Sequence, residues 1–218
     1  MIDFWLPHFE FISQGVIVTL QFTCTAIVGG FLIGLLFALM QLTRSFILNA
    51  IATAYLSIFR GTPMLVQLSI IYFGIPSVTP LDLSVFFAGS LALSLNSGAY
   101  VAEILRSGIQ SIDKGQMEAA RSLGVSYMYM MRDLILPQAF RNIFPALVNE
   151  GITLLKDTAL VSIIGAHEIM RNAQLVSAET YNYFTPLLMA AILYYVMVMC
   201  MSYFGKITEK KLGAYADH

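Results

Sequence analysis

Five ionisable side chains lie inside long apolar stretches of the sequence, where charge is costly. They are Arg60, Glu103, Glu150, Lys156 and Asp157. Inserting one charged side chain at the centre of a membrane helix costs about 2.5 to 3.5 kcal/mol, so such residues are candidates for function. An anionic pocket in an apolar setting favours a bound ammonium group. Cation recognition is therefore the chemistry that these carboxylates suggest first.

Three polar residues near the fourth apolar stretch share one helical face. Glu150, Thr153 and Asp157 have the spacing i, i+3 and i+7, which predicts a polar stripe facing a cavity. Lys156 is rotated by about 100° from Asp157 and points elsewhere. Two interpretations remain open, contact with a substrate and a buried ion-pair network in which Arg60 or Lys156 neutralises the carboxylates.

Two further polar groups lie in the second and third apolar stretches. Asn96, Ser97, Tyr100 and Glu103 form another stripe at helical spacing, although Asn96 and Ser97 suit interhelical hydrogen bonds equally well. The run from Phe59 to Pro63, which includes Thr62, predicts a kinked or broken helix because proline removes a backbone donor. Broken helices at membrane depth often build substrate sites in transporters. The candidate substrate-binding residues are therefore Thr62, Asn96, Tyr100, Glu103, Glu150, Thr153 and Asp157.

The elements that position these residues are membrane helices. Hydrophobic residues make up 58% of the 218 residues and charged residues 11%, and the mean hydropathy is +0.75, values far from those of a soluble domain. Since a spanning helix needs about 20 apolar residues, we predict an all-α membrane protein with one transmembrane domain over residues 1–218. Its five expected transmembrane helices cover about 13–41, 51–74, 84–105, 143–165 and 184–205.

The distribution of basic residues predicts the orientation. Nine of the twelve Lys and Arg residues lie in the C-terminal tail or in loops on its side, whereas Arg171 is the one basic residue in the loops of the opposite side. By the positive-inside rule the N-terminus is outside, and the C-terminus and the loop at about 106–142 are cytoplasmic. The N-terminus has no basic cluster and no cleavage pattern, so we expect the first helix to be retained.

A polar island between the third and fourth apolar stretches has the composition of a docking loop. Good helix formers precede Gly124, which suits a turn with positive φ, and a second helical pattern runs from Tyr127 to Leu136 before Pro137. This predicts two short helices with an elbow. The spacing resembles the EAA coupling loop of ABC-transporter permeases, with Leu134 where that family usually has Ile; an ordinary amphipathic connector is the alternative. The matching positions are Glu118, Ala119, Ala120, Gly124, Leu136 and Pro137.

Several other functions find no support in the residues. The chain has no phosphate-binding loop of the type that hydrolyses nucleotides and no recognisable nucleophile motif, so we expect no enzyme activity. Cys24 and Cys200 lack neighbours at metal-ligand spacing, and we expect neither a metal nor a cofactor in this chain. A net charge of −1 gives no reason to expect nucleic-acid binding.

Four motifs together resemble the polar amino-acid permeases of the histidine/glutamine type. They are Phe59 to Pro63, Ala99 to Glu103, Glu118 to Pro137, and Leu155 to Thr158. The resemblance implies a five-helix subunit in a bacterial cytoplasmic (inner) membrane that pairs with an identical or homologous permease. It also implies a cytoplasmic ATPase dimer that binds ATP and Mg, and an extracytoplasmic amino-acid-binding protein. In some members of that family, residues matching Glu150 and Asp157 line the substrate pocket.

These observations predict the transmembrane subunit of an ATP-driven importer that moves a polar amino acid into the cytoplasm by alternating access. The rival is a stand-alone ion-coupled carrier or channel whose buried carboxylates relay protons. An intramembrane enzyme is the third interpretation. A phosphate-loop ATPase encoded beside this chain would distinguish the first interpretation from the others.

Overall fold

A computed structural model describes residues 2–214, and this range is helical without any strand. The ten α-helices are α1 (Ile2–Leu42), α2 (Phe46–Gly61), α3 (Met64–Ser69), α4 (Ile75–Val78), α5 (Val85–Gln110), α6 (Lys114–Ser122), α7 (Tyr127–Tyr129), α8 (Leu136–Asp157), α9 (Ile169–Thr180) and α10 (Phe184–Ala214). Two π-helical segments, Ile70–Gly74 and Met130–Ile135, and one 3₁₀ segment, Thr158–Ile164, join neighbouring helices. The predicted all-α membrane class is confirmed.

Within the described residues, three helices are long and apolar enough to cross a membrane. They are Phe4–Leu42, Val85–Gln110 and Phe184–Leu212, and they include three of the five expected spans. The α2 helix and the helix that follows it add a fourth span if the bent pair is counted as one. The fifth expected span, 143–165, is divided between the end of α8 and the 3₁₀ segment, and it is not among the helices that are long and apolar enough to cross a membrane. Five transmembrane helices therefore stay a prediction.

The second span is broken at the predicted place. α2 ends at Gly61, and the helix restarts at Met64 in a direction that differs by 105°. Thr62 and Pro63 between them have extended backbone conformations. Pro63 cannot donate a backbone hydrogen bond to the preceding turn, so the α2 helix cannot continue through it.

Small residues bring α1 and α5 close together at the centre of the molecule. A Cβ atom added to Gly30 would lie 2.9 Å from Cβ and Oγ of Ser97, and one added to Gly34 would lie 2.6 Å from Val101. Gly29 faces Ser94 in the same way. Glycines permit this backbone approach between membrane helices. The contact fixes the position of Ser97, which belongs to the candidate site.

The polar island has the predicted elbow but not two short helices. α6 ends at Ser122, and Gly124 has a φ of +76°, as its turn requires. The second helical part is long, because α7 passes through the π-helical segment into α8 without a stop at Pro137. Pro137 is the second residue of α8 and comes directly after the π-helical segment, where the pattern of backbone hydrogen bonds changes.

Candidate functional site

Glu150 lies in a cleft whose walls are otherwise almost entirely apolar. The cleft has a volume of about 420 Å³ and lies between α1, α5, α8 and α10. Ile27, Leu154 and Met201 are among its apolar walls. Ser97 Oγ donates a hydrogen bond of 2.8 Å to Glu150 Oε1. The cleft thus offers a bound group one carboxylate and one hydroxyl within an apolar surround.

The other two members of the α8 stripe are outside this cleft. Thr153 and Asp157 lie in the same continuous helix as Glu150 and are half-buried, but neither lines the cleft. Thr153 Oγ1 donates to Asn149 O of its own helix at 3.1 Å. The ion pairs found among residues 2–214 are Arg60–Glu103, Arg106–Glu103 and Arg132–Asp133, so Glu150 and Asp157 have no basic partner in this range.

Thr62 and Asn96 lie at the broken helix, where a glutamine joins them. Gln67 Nε2 donates to Phe59 O at 2.9 Å and to Thr62 O at 3.0 Å. Asn96 Nδ2 donates to Gln67 Oε1 at 2.9 Å. These bonds satisfy carbonyls that Pro63 leaves without a helical partner. Sequence reasoning missed Gln67, although an amide within a turn of a membrane proline was a usable signal.

Tyr100 and Glu103 line a second, more polar cleft of about 540 Å³ on another face of α5. Arg60 Nη1 is 3.4 Å from Glu103 Oε2, and its guanidinium lies 5.9 Å from the centroid of the Tyr100 ring. Arg106 binds the same carboxylate through Nε at 3.3 Å and through Nη2. The seven residues predicted to bind substrate therefore divide among the apolar cleft, the α8 helix, the broken helix and this polar cleft.

The predicted docking residues form an exposed surface with one buried anchor. Glu118, Ala119 and Gly124 are exposed, as are Leu136 and Pro137. Ala120 is buried in a cluster that includes Ile112, Met130, Ile135, Ala139 and Ile143. Leu123 and Met128 expose 83% and 72% of their surface, which is unusual for apolar residues of a polar segment. Exposed apolar patches of this kind are typical of surfaces that bind another protein or a membrane.

A second buried carboxylate, Glu168, lies at the start of α9 and was not among the candidate residues. Its side chain is fully buried and caps α9, accepting hydrogen bonds from the backbone N–H of Met170 at 2.9 Å and of Arg171 at 2.7 Å. Tyr194 Oη of α10 donates to the same carboxylate. Burial raises the pKa of Glu168 above its ordinary value, although the three donors act against this shift. Glu168 thus joins α9 to α10.

The described residues contain no group of three His, Cys, Asp or Glu side chains arranged to hold a metal ion. The charged groups of the two clefts are the Glu150 carboxylate, which binds a hydroxyl, in the apolar cleft, and Arg60 with Glu103 in the polar cleft. This architecture, with a broken membrane helix beside clefts that hold charged groups, is that of a membrane transport protein.

Comparison with known proteins identifies the family. Residues 30–214 match the family of binding-protein-dependent transport system inner membrane components. The chain belongs to this family. It is a membrane-embedded permease subunit, and the family membership supports this interpretation over a stand-alone carrier or channel.

The similar curated proteins are amino-acid permeases. The putative glutamine transport system permease protein GlnP of Rickettsia typhi is 51% identical over 206 residues, which cover 94% of each chain. The arginine transport system permease protein ArtQ of Bacillus subtilis is 48% identical over 209 residues, covering 95% of this chain and 94% of ArtQ. The resemblance to polar amino-acid permeases seen in the sequence motifs is confirmed.

Solved structures show the same fold. A crystal structure of an amino acid ABC transporter with histidines is 41% identical, with a TM-score of 0.91 over 97% of this chain and 98% of that chain. An inward-facing structure of the MetNI methionine ABC transporter has a TM-score of 0.80 at 22% identity, covering 95% of this chain and 98% of that chain. The second likeness concerns the fold alone.

Proposed function

We propose that this permease imports a polar amino acid whose side chain ends in an N–H donor. The observation that supports this proposal is Glu150, a carboxylate with a single hydroxyl partner in an otherwise apolar cleft. Glutamine and arginine, named for the two relatives, differ in charge but both present N–H groups at the end of an apolar stem. A carboxylate accepts hydrogen bonds from either group.

Asp157 and Thr153 contribute to the same substrate path in this proposal. Both share the face of α8 that begins at Glu150, and Asp157 ends the helix at the start of the 3₁₀ segment. If Asp157 contacts the substrate, Asp157→Asn should leave assembly normal and weaken import or shift its selectivity. If the carboxylate instead neutralises a buried cation, the same variant should lower the yield of folded complex.

Energy comes from a separate cytoplasmic ATPase dimer that binds ATP and Mg, and a second permease, identical or homologous, completes the membrane part. The exposed apolar residues beside Gly124 form the ATPase contact. Since Gly124 has a φ of +76°, Gly124→Leu places a β-carbon in a strained turn. It should uncouple transport while leaving membrane insertion intact. Full uptake by this variant, with normal co-purification of the ATPase, would refute the docking assignment.

The distribution of basic residues supports an orientation in a bacterial inner membrane with the N-terminus outside and the C-terminus in the cytoplasm. An extracytoplasmic binding protein then delivers the amino acid from the side of α9. In intact cells that express the importer, a cysteine at Ser77 should react with an impermeant thiol reagent, and a cysteine at Ser122 should not. The reverse labelling pattern would overturn this orientation.

One experiment tests the function itself. The permease, its ATPase and its binding protein are reconstituted in liposomes, and ATP-dependent uptake is measured for a panel of amino acids. We expect uptake of amino acids with an N–H donor at the end of the side chain, and no uptake of leucine or glutamate. Uptake without ATP, or transport coupled to a proton gradient, would contradict the proposal and favour the ion-coupled carrier.

A further inference from the structure

The ion-pair cluster at the polar cleft has one more positive charge than negative charge. Arg60 and Glu103 line the cleft, and Arg106 binds Glu103 from outside the lining, so the three side chains together carry a net charge of +1. Gln41, Thr53 and Ser57 add neutral polar groups to the lining. The side chains of Arg60 and Glu103 are 42% and 28% exposed. A charged side chain at membrane depth faces water or protein, because exposure to lipid is too costly. The cleft is therefore an aqueous or partner-lined space with a positive potential.

Arg106 satisfies Glu103 more fully than Arg60 does. The guanidinium of Arg106 contacts both carboxylate oxygens, through Nε at 3.3 Å and through Nη2. Arg60 approaches one oxygen at 3.4 Å. An arginine has five N–H donors in a planar fork that matches a carboxylate. Most of the donor capacity of Arg60 is thus available for a second anion, and the Tyr100 ring helps to hold the guanidinium at 5.9 Å.

The same cleft contains an unused acceptor. Oε1 of Gln41 is buried and has no hydrogen-bond partner among residues 2–214. Buried acceptors are rarely left unpaired in folded proteins. Because Gln41 lines the cleft, rotation of its amide would turn this acceptor toward a ligand that presents an anionic group to Arg60 and an N–H donor to Gln41. The α-carboxylate and α-ammonium groups of a free amino acid are such a pair.

We propose that this cleft binds the α-carboxylate and α-ammonium groups of the transported amino acid, as a second station distinct from the Glu150 cleft. Glu103 is six residues beyond Ser97 on α5, or about 9 Å further along the helix, toward the end that faces the cytoplasm in the proposed orientation. The inference rests on the proposed import function. In this arrangement the amino acid occupies the two sites in turn: the Glu150 cleft recognises its side chain, and the second station recognises the groups that all amino acids share.

The test uses the permease–ATPase complex in detergent, with Cys24→Ser, Cys200→Ser and Ser57→Cys. Ser57 lines the cleft and is exposed. Labelling rates are compared for an anionic sulfonate and a cationic trimethylammonium thiosulfonate, each divided by its rate with a free thiol. We expect the anionic reagent to react about five- to tenfold faster, since one charge at short range in a partly solvated site has an effect of this size.

Matched variants connect this preference to Arg60. Arg60→Gln should abolish the preference and Arg60→Lys should keep it. Arg44→Gln, which removes a charge from the neighbouring loop, should also keep it. Millimolar L-arginine should slow the labelling, whereas agmatine, which is arginine without its carboxylate, should not.

Three results would overturn the second station. These are equal rates for the two reagents, a preference that survives Arg60→Gln, and a complex that loses its second permease copy on Arg60→Gln, since the last result makes the cleft a subunit contact. Labelling needs no transport, so the two proposals fail separately. If ATP-dependent import occurs but L-arginine does not slow the labelling, the second station is refuted and the importer function still holds. If L-arginine slows the labelling but no ATP-dependent import occurs, the second station is supported and the proposed function is contradicted.

Discussion

Two buried carboxylates in this protein have different surroundings. Glu168 is fully buried and accepts hydrogen bonds from two backbone N–H groups of α9 and from Tyr194. Glu150 is half-buried and accepts one hydrogen bond, from Ser97, at the edge of an apolar cleft. A carboxylate offers about four acceptor sites. Those of Glu168 are mostly occupied by the protein itself, whereas Glu150 uses one of its acceptor sites for a hydrogen bond within the described residues.

This difference separates a structural role from a binding role. Around Glu168 other polar bonds also join the outer elements, since Asn172 donates to Phe11 O at 3.1 Å and Ile169 N donates to Thr19 Oγ1 at 3.5 Å. Glu168 is therefore part of a network that fixes α9 to α1 and α10. Glu150 contributes to no comparable network. The two acids differ in burial, but the number of internal donors separates their roles more directly.

Glu168→Ala should have the largest effect. It removes the cap of α9 and leaves a buried Tyr194 hydroxyl without its acceptor, at a combined cost of about 2 to 5 kcal/mol. The thermal unfolding temperature of the purified complex measures this loss. Glu179→Ala, which changes an exposed acid of the same helix, is the control. Equal unfolding temperatures for the two variants would show that the Glu168 network contributes little to stability.

Gly30→Ala tests whether the position of Ser97 controls Glu150. The added methyl group would lie 2.9 Å from Ser97 Cβ, so α1 and α5 must separate at a cost of about 1 to 3 kcal/mol. We expect lower stability together with weaker substrate binding. Gly74→Ala is the matched control, because its methyl group would make an ordinary contact at 3.7 Å. If Gly30→Ala behaves like Gly74→Ala in both assays, the α1–α5 contact does not set the site.

Glu150→Gln should affect import but not folding. The carboxamide can still accept the Ser97 hydrogen bond, so the unfolding temperature should change little. Loss of a hydrogen bond to a charged group costs about 1.5 to 3 kcal/mol, which predicts at least about a tenfold fall in uptake of L-arginine. Glutamine uptake should fall less. If Glu150→Gln lowers the unfolding temperature as much as Glu168→Ala does, and leaves the selectivity unchanged, then Glu150 has a structural role.

The smallest expected effect is a pH dependence of stability that comes from Glu168. Burial raises its folded-state pKa above 4.5, so the folded protein binds a proton more readily than the unfolded chain. The stabilisation is complete below about 4.5 and is lost as pH rises through the raised pKa. The unfolding temperature of the wild type, minus that of Glu168→Gln, should therefore decrease as pH rises across this window. An increase would mean that the three donors favour the charged carboxylate.

Much of the architecture could be predicted from local patterns. Three apolar stretches became long helices because about 20 apolar residues leave the backbone no other partner in a bilayer. The break at Pro63 and the positive φ of Gly124 were also predictable, since each follows from the covalent structure of a single residue. The motif resemblance to polar amino-acid permeases extended these local predictions to the family.

The candidate site depends on contacts that no local pattern contains. Helical spacing placed Glu150 and Asp157 on one face, but the tertiary structure decided that Glu150 lines the apolar cleft with Ser97, which is 53 residues away in the chain. It likewise decided that Tyr194, 26 residues beyond Glu168, donates a hydrogen bond to that buried acid. The sequence determined which residues are costly to bury. Only the packing of α1, α5, α8 and α10 determined which of them the protein satisfies internally, because hydrogen bonds depend on distances that helix packing sets.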